Sequence, residues 1–404
     1  MTVEKWKSSI MGTEIDTRNS RSTKRPAATV SVSRRTALST IAGGLSWPLL
    51  PGVAQASASR QLFLSSRGIK AGDKGGFRVS GFDNSGRVVF DIPTPGRGHV
   101  LAPHPRMPMA VLFARAPGTF ARAIDFSRGK LIASFETPKD RHFMGHGAFS
   151  PDGKLLYATE NDFANKHGVI GVYDVDKDFQ RRGEFPSGGI GPHELRLAGD
   201  GNTLVICNGG ILTHPSLPRV KLNRDTMEPS LVYLDRRDGR QIDKLGLPKA
   251  LHQLSIRHMA ISQNGVVAFG MQYAGPKSDH VPLVGVHEPG GSLKVFSGPD
   301  RIFRAMKNYC GSVEFDSTGS VIATSSPYGG IVAFWEAESG KFLSSVDIPA
   351  VCGVAPTPGP GKFVATSIHG GAVSIDAATG SSSKITGSSI NAPGWDNHLV
   401  AATT

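Results

Sequence analysis

One unit repeats along this chain: a short apolar strand, a turn containing glycine, and a second apolar strand. Gly98-His99-Val100-Leu101-Ala102 leads into Met109-Ala110-Val111-Leu112-Phe113. Gly145-His146-Gly147-Ala148-Phe149 turns at Pro151-Asp152-Gly153 into Leu155-Leu156-Tyr157-Ala158. Pro192-His193-Glu194-Leu195-Arg196-Leu197 turns at Gly199-Asp200-Gly201 into Leu204-Val205-Ile206-Cys207. Three more copies begin at Arg257-His258-Met259, Cys310-Gly311-Ser312 and Cys352-Gly353-Val354. Each is followed by a third strand, such as Ile170 to Tyr173, Leu231 to Leu234 or Ile331 to Trp335, and usually by a fourth. Three of the later turns, Asp235 to Gly239, Glu336 to Gly340 and Asp376 to Gly380, share an acid-x-x-x-Gly form. Such turns suit tight hairpins, because glycine takes the positive-φ position without steric cost. Four strands per repeat of about 50 residues is the blade of a β-propeller.

The two ends of the chain supply the missing copy. Asn397-His398-Leu399-Val400-Ala401 is one inner strand with nothing after it. Leu62-Phe63-Leu64, Phe77-Arg78-Val79 and Val88-Val89-Phe90 are three strands with no inner strand before them. The expected fold is therefore all-β: a seven-bladed β-propeller whose seventh blade is closed by one C-terminal and three N-terminal strands. Composition agrees. Of 404 residues 49 are Gly and 27 Pro, which would interrupt helices throughout, and charged residues make up only 19%.

Residues 1–56 read as an address and 57–404 as the fold. Ser33-Arg34-Arg35-Thr36-Ala37-Leu38 resembles a twin-arginine export signal, with Ala37 at a position usually held by Phe. A weakly apolar stretch follows and ends in Ala54-Gln55-Ala56, a small-x-small cleavage site. Pro48 and Pro51 argue against a stable membrane span. The expected location is the periplasm. The leader holds eight of the 45 Lys/Arg and three of the 33 Asp/Glu, so the net charge falls from +12 to +7 on its removal. No basic run with interleaved aromatics occurs in the remainder, so nucleic-acid binding has no footprint. A monomer is expected. Cys207, Cys310 and Cys352 are too few for a disulfide framework.

In a propeller the inner strands all begin at one face of the central channel. Counting back from the apolar anchor of each inner strand places His99, His146, His258, Cys352 and His398 at equivalent positions. His193 lies one residue further back, which a β-bulge would accommodate. Imidazoles and a thiol converging on one axis are ligands for Fe, Cu or Zn, so His99, His146, His193, His258, Cys352 and His398 form a candidate transition-metal site. The loops leaving the same face carry Glu160, Asn161, Asp162 and Asn208, and the longest insertion, Ile211 to Ser230, carries His214, Arg219 and Asn223. These are candidate binding residues at the mouth.

Several runs are similar to one bacterial family: residues 145–153, Tyr157-Ala158-Thr159-Glu160-Asn161-Asp162, Gly191-Pro192-His193-Glu194-Leu195, Asn208 to Pro215 and Ser255-Ile256-Arg257-His258. The chain resembles the domain of unknown function 1513 family over most of its post-leader length. The resemblance implies a periplasmic seven-bladed propeller of the quinoprotein/YVTN superfamily. It also implies an association with imelysin-type iron-uptake proteins, and hence a role in periplasmic iron or metal handling. The leading expectation is a non-enzymatic propeller that handles a metal, or binds an uptake partner, at its histidine-lined face. The alternative is a propeller enzyme. A lactonase-like hydrolase would build a calcium site from Glu160, Asn161 and Asn208, and a quinoprotein-like oxidoreductase would need repeated blade tryptophans that this chain lacks.

Overall fold

The computed structural model describes residues 61–68, 76–217, 220–387 and 389–403, all within one compact unit. The expected leader over residues 1–56 and Arg219 lie outside these residues. The described chain forms seven antiparallel sheets of four strands each. Blade 1 comprises Gly98–Pro103, Met109–Ala114, Phe120–Asp125 and Lys130–Glu136. Blades 2 to 6 follow in order, with inner strands Arg141–Phe149, Pro192–Leu197, Leu254–Ile261, Ser312–Phe315 and Val351–Pro356. Blade 7 joins Val400–Thr403 to Gln61–Gly68, Phe77–Asp83 and Val88–Thr94. Each inner strand touches that of the next blade, and Val400–Thr403 touches those of blades 1 and 6, so the ring is closed.

Strand chemistry explains this layering. Second strands are sandwiched between neighbouring blades: Met109–Ala114 is buried along its whole length, and Thr203–Asn208 at all but its first residue. Outer strands such as Lys130–Glu136 and Gln241–Gly246 are mostly exposed and carry the charge. Burial on both faces favours continuous apolar runs, whereas the rim favours polar ones that blunt edge pairing. The acid-x-x-x-Gly turns form as expected. Gly239, Gly340 and Gly380 have φ of 72°, 72° and 67°. Their N–H groups donate to the carbonyls of Asp235, Glu336 and Asp376 at 2.8–2.9 Å.

Among the described residues one α-helix, Asp300–Met306, interrupts the all-β pattern between blades 4 and 5. Its Ile302, Phe303 and Met306 are buried, and the Phe303 ring stacks 5.8 Å from Trp335. Among the described residues no helix is long and apolar enough to cross a membrane.

Candidate metal centre

The histidine positions follow from a repeated irregularity of the inner strands. Register against the second strand slips between Gly98 and Leu101, Phe143 and Gly147, Pro192 and Glu194, and Ile256 and His258. Each slip spans or borders a histidine: His99, His146, His193 and His258. A bulge frees a residue from the ladder and re-aims its side chain. Here it turns imidazoles toward the axis from four successive blades. His398 precedes the inner strand of blade 7 and completes a group of five. The blade 5 strand, which starts at Ser312, pairs without a slip and contributes no histidine.

The five rings are close and buried. His99, His146, His193, His258 and His398 are 1–6% exposed. Contacting ring centroids lie 4.6–6.1 Å apart. The Nε2 atoms of His146 and His398 are 3.2 Å apart. Two nitrogens bound to one ion at about 2.0–2.1 Å would lie about 2.8–3.4 Å apart, between the octahedral-cis and tetrahedral limits. Glu194 joins them: its Oε2 is 3.5 Å from both His146 Nε2 and His258 Nδ1. Donor atoms of His146, Glu194, His258 and His398 all fall within 4.8 Å of one another, and so do those of His99, His146 and His193. Six ring nitrogens of these histidines have no hydrogen-bond partner: both of His99, both of His258, and the Nδ1 atoms of His146 and His193. Buried polar atoms without partners are costly, so these six nitrogens are open to a partner from outside the chain.

Burial also sets the protonation state. It pushes the His99 imidazole below the ordinary histidine range, and His146, His193, His258 and His398 well below it. Neighbouring imidazoles reinforce the effect on all four, arginines add to it at His146, His193 and His258, and Glu194 and Asp396 partly oppose it at His398. The rings are therefore neutral near pH 7 and keep lone pairs for a cation. A carboxylate stands behind His99, with Asp396 Oδ1 3.8 Å from its Nδ1. Burial alone would raise the Asp396 carboxyl, but His99, Arg97 and Arg115 outweigh it and hold it well below the usual range. Glu194 is anchored in turn, accepting from Arg196 Nε at 2.8 Å and from Met259 N–H at 3.2 Å. Arg196 also donates to Glu314 at 3.0 Å, and burial raises the Glu314 carboxyl to about 7.

Sequence reasoning missed Glu194 and Asp396 as part of this group. Glu194 is adjacent to the bulged His193 on an inner strand, and Asp396 lies two residues before His398; both spacings were visible. Cys352 is buried, but its Sγ faces the carbonyl of Ala350 at 3.5 Å and joins none of the donor groups. Burial pushes its thiol up to about 12, and Cys310 likewise. All three cysteines are free.

The polar mouth residues are placed elsewhere. Glu160, Asn161 and Asp162 end the strand Leu155–Asp162, where a loop had been expected, and are 0–2% exposed. Glu160 accepts from Tyr173 Oη at 2.6 Å and Arg181 at 2.9 Å, inside blade 2. Asp162 pairs with Arg141 and accepts from Asn165, and Asn161 Nδ2 lies 3.0 Å from His142 Nε2. Asn208 exchanges hydrogen bonds with Ser187. Glu160, Asn161 and Asn208 thus spend their polar atoms on local partners, an arrangement unlike the oxygen cage a calcium ion needs. Asn223 pins its own loop, accepting from Leu212 N–H at 2.7 Å and donating to the Gly210 carbonyl at 2.9 Å. His214 does line the mouth.

Two cavities flank the histidines. On the loop face a vestibule of about 730 Å³ is lined by His99, His193 and His258 together with Arg97, Arg115 and Arg257. On the other side a channel cavity of about 340 Å³ is mostly apolar and is bounded by His146, Glu194, Arg196 and Glu314.

Comparison with known proteins adds the fold and the family. Among curated proteins none matches. The hydrazine synthase of Kuenenia stuttgartiensis is similar in structure, with a TM-score of 0.55 and 14% identity, over 77% of this chain and 90% of that one. At that identity the likeness concerns the fold alone. The family described as "Protein of unknown function (DUF1513)" matches residues 92–402, which takes in six blades, the closing strand and all five histidines. The chain belongs to that family.

Proposed function

We propose that this protein is a non-enzymatic metal-handling propeller that holds one divalent first-row transition ion in its central channel. Its ligands are His146, His258, His398 and Glu194, with His99 and His193 on the adjoining side of the same cluster. The observation that carries this reading is the convergence of five buried, neutral imidazoles and an anchored carboxylate on the propeller axis. Imidazole with carboxylate suits Fe, Zn, Cu or Ni, and it is a poor match for Ca²⁺ or Mg²⁺, which prefer all-oxygen shells. Fixed ligands on rigid strands suit binding.

The twin-arginine-like signal and cleavage site in residues 33–56 support export of the folded, loaded protein to the periplasm. The resemblance to a family associated with imelysin-type uptake proteins supports iron as the ion and such a protein as the partner. Element analysis of protein isolated from the periplasm, beside a His146→Ala/His398→Ala double variant, tests the reading. About one equivalent of iron or another first-row ion in the wild type and little in the variant is expected. Equal, negligible metal in both contradicts it.

A further inference from the structure

The vestibule over the histidines carries an excess of positive charge that nothing in its lining balances. Arg97, Arg115, Arg257 and Lys221 all face it. The carboxylate among them is Asp396, and it is already engaged, lying 2.6 Å from Arg97 Nε, 3.6 Å from Arg115 Nη1 and 3.8 Å from His99 Nδ1. Arg257 and Lys221 have no carboxylate partner among the described residues. Arg257 Nε is enclosed and makes no hydrogen bond, and Arg115 Nη1 has the 3.6 Å ion pair with Asp396 but no hydrogen bond. Leaving guanidinium donors enclosed and unpaired costs free energy that a bound anion would recover.

The shape of the space narrows the anion. About 730 Å³ lies within the range of small-molecule sites and far exceeds what an inorganic ion needs. Its walls mix the cations with apolar and aromatic groups, including Ile211, Val220, Tyr309 and Tyr328. The Tyr309 and Tyr328 rings meet edge to face at 4.6 Å, which gives a carbon skeleton an aromatic corner to pack against. Guanidinium forks pair with carboxylates in two parallel hydrogen bonds, and separated forks select for more than one carboxylate.

We propose that this vestibule binds a small organic polycarboxylate, with carboxylate groups on Arg115, Arg257 and Lys221 and its carbon skeleton against the tyrosines. His99, His193 and His258 line the same space, so the anion would sit directly over the cluster. The site goes beyond the metal reading and stands without it, because Arg257 and Lys221 lack carboxylate partners whether or not an ion lies below.

Calorimetric titration of the full chain, stripped of metal on a chelating resin, tests this with citrate and with inorganic phosphate. Citrate is expected to bind one to one, with phosphate at least about tenfold weaker. Arg257→Gln and Lys221→Gln should each weaken citrate binding by about tenfold, and Arg257→Lys by less. Lys221 is exposed, so its variant reports on the site without a folding cost. The His146→Ala/His398→Ala protein should bind citrate within about threefold of wild type, which separates this site from the metal centre. No citrate binding by the folded wild type, citrate binding by both charge variants as tight as by the wild type, or phosphate binding tighter than citrate would each overturn the proposal.

Discussion

The Nε2 atoms of His146 and His398 face each other at 3.2 Å although 252 residues separate them in the chain. One stands on the inner strand of blade 2, and the other just before the strand that closes the ring against Gln61–Leu64. The cluster therefore exists only when the propeller is closed. An ion bound there would bind the closed state and not an open one, so metal affinity and ring closure are linked.

Glu194 and Asp396 hold the cluster in different ways, and their variants separate the roles. Glu194→Gln keeps the shape but leaves one acceptor oxygen where the carboxylate offers two, so it gives up the contact with either Arg196 or Met259 along with the negative charge beside His146 and His258. Asp396→Asn weakens the orientation of His99 from behind. Competition with a chromogenic chelator should show metal affinity falling by at least about 10- to 100-fold for Glu194→Gln and by less for Asp396→Asn, because His99 stands beside the four ligands.

The metal-free protein should lose stability in mild acid. In the unfolded chain each histidine takes up a proton near pH 6.5, whereas in the fold burial holds the five imidazoles below that value. Below about pH 6.5 the unfolded state therefore binds more protons, and stability falls as pH falls toward the folded values. Thermal melts of metal-free protein at about pH 7.5 and 5.5 should show a larger drop for wild type than for a variant with His99, His193 and His258 changed to Gln.

Gly353 links blade 6 to the metal site through space. A Cβ at this position would lie 2.4 Å from Leu399 N and 2.6 Å from the carbonyl carbon of His398, both backbone atoms. Gly353→Ala must displace the segment that carries His398. It should cost about 1–3 kcal/mol, read as a lowered Tm, and should weaken metal binding in the same protein.

Glu160 is a test of what the site does not include. Glu160→Gln leaves Arg181 with Glu184 as its remaining carboxylate and alters the acceptor for Tyr173. It should destabilise blade 2 by about 1–3 kcal/mol in denaturant unfolding while metal content stays unchanged.

The repeat made the histidines legible. Once the inner strands are aligned, a residue type recurring at one register position must meet its equivalents at the axis, and five histidines do. The bulge expected at His193 is present, and comparable slips accompany His99, His146 and His258. Cys352 shares the position, and its strand slips between Val351 and Val354 as those of these four histidines do, but its thiol turns to the Ala350 carbonyl and stays out of the cluster. Glu160 and Asp162 were expected in a loop, but their strand runs on to Asp162 because Arg181 and Arg141 neutralise them there. The helix Asp300–Met306 was overlooked, although Ile302, Phe303 and Met306 recur at helical spacing. The cationic vestibule could not be read from local motifs, since Arg97, Arg115, Lys221 and Arg257 come together only through the closed ring.

Anomalous diffraction from crystals of the metal-loaded protein, collected above and below the absorption edge of the ion found, tests the central claim most directly. The account predicts one strong peak on the axis, about 2.0–2.2 Å from His146 Nε2, His398 Nε2 and a Glu194 oxygen, with His258 completing the shell. Ordered histidines with no peak among them, or a peak only at surface residues, would contradict it.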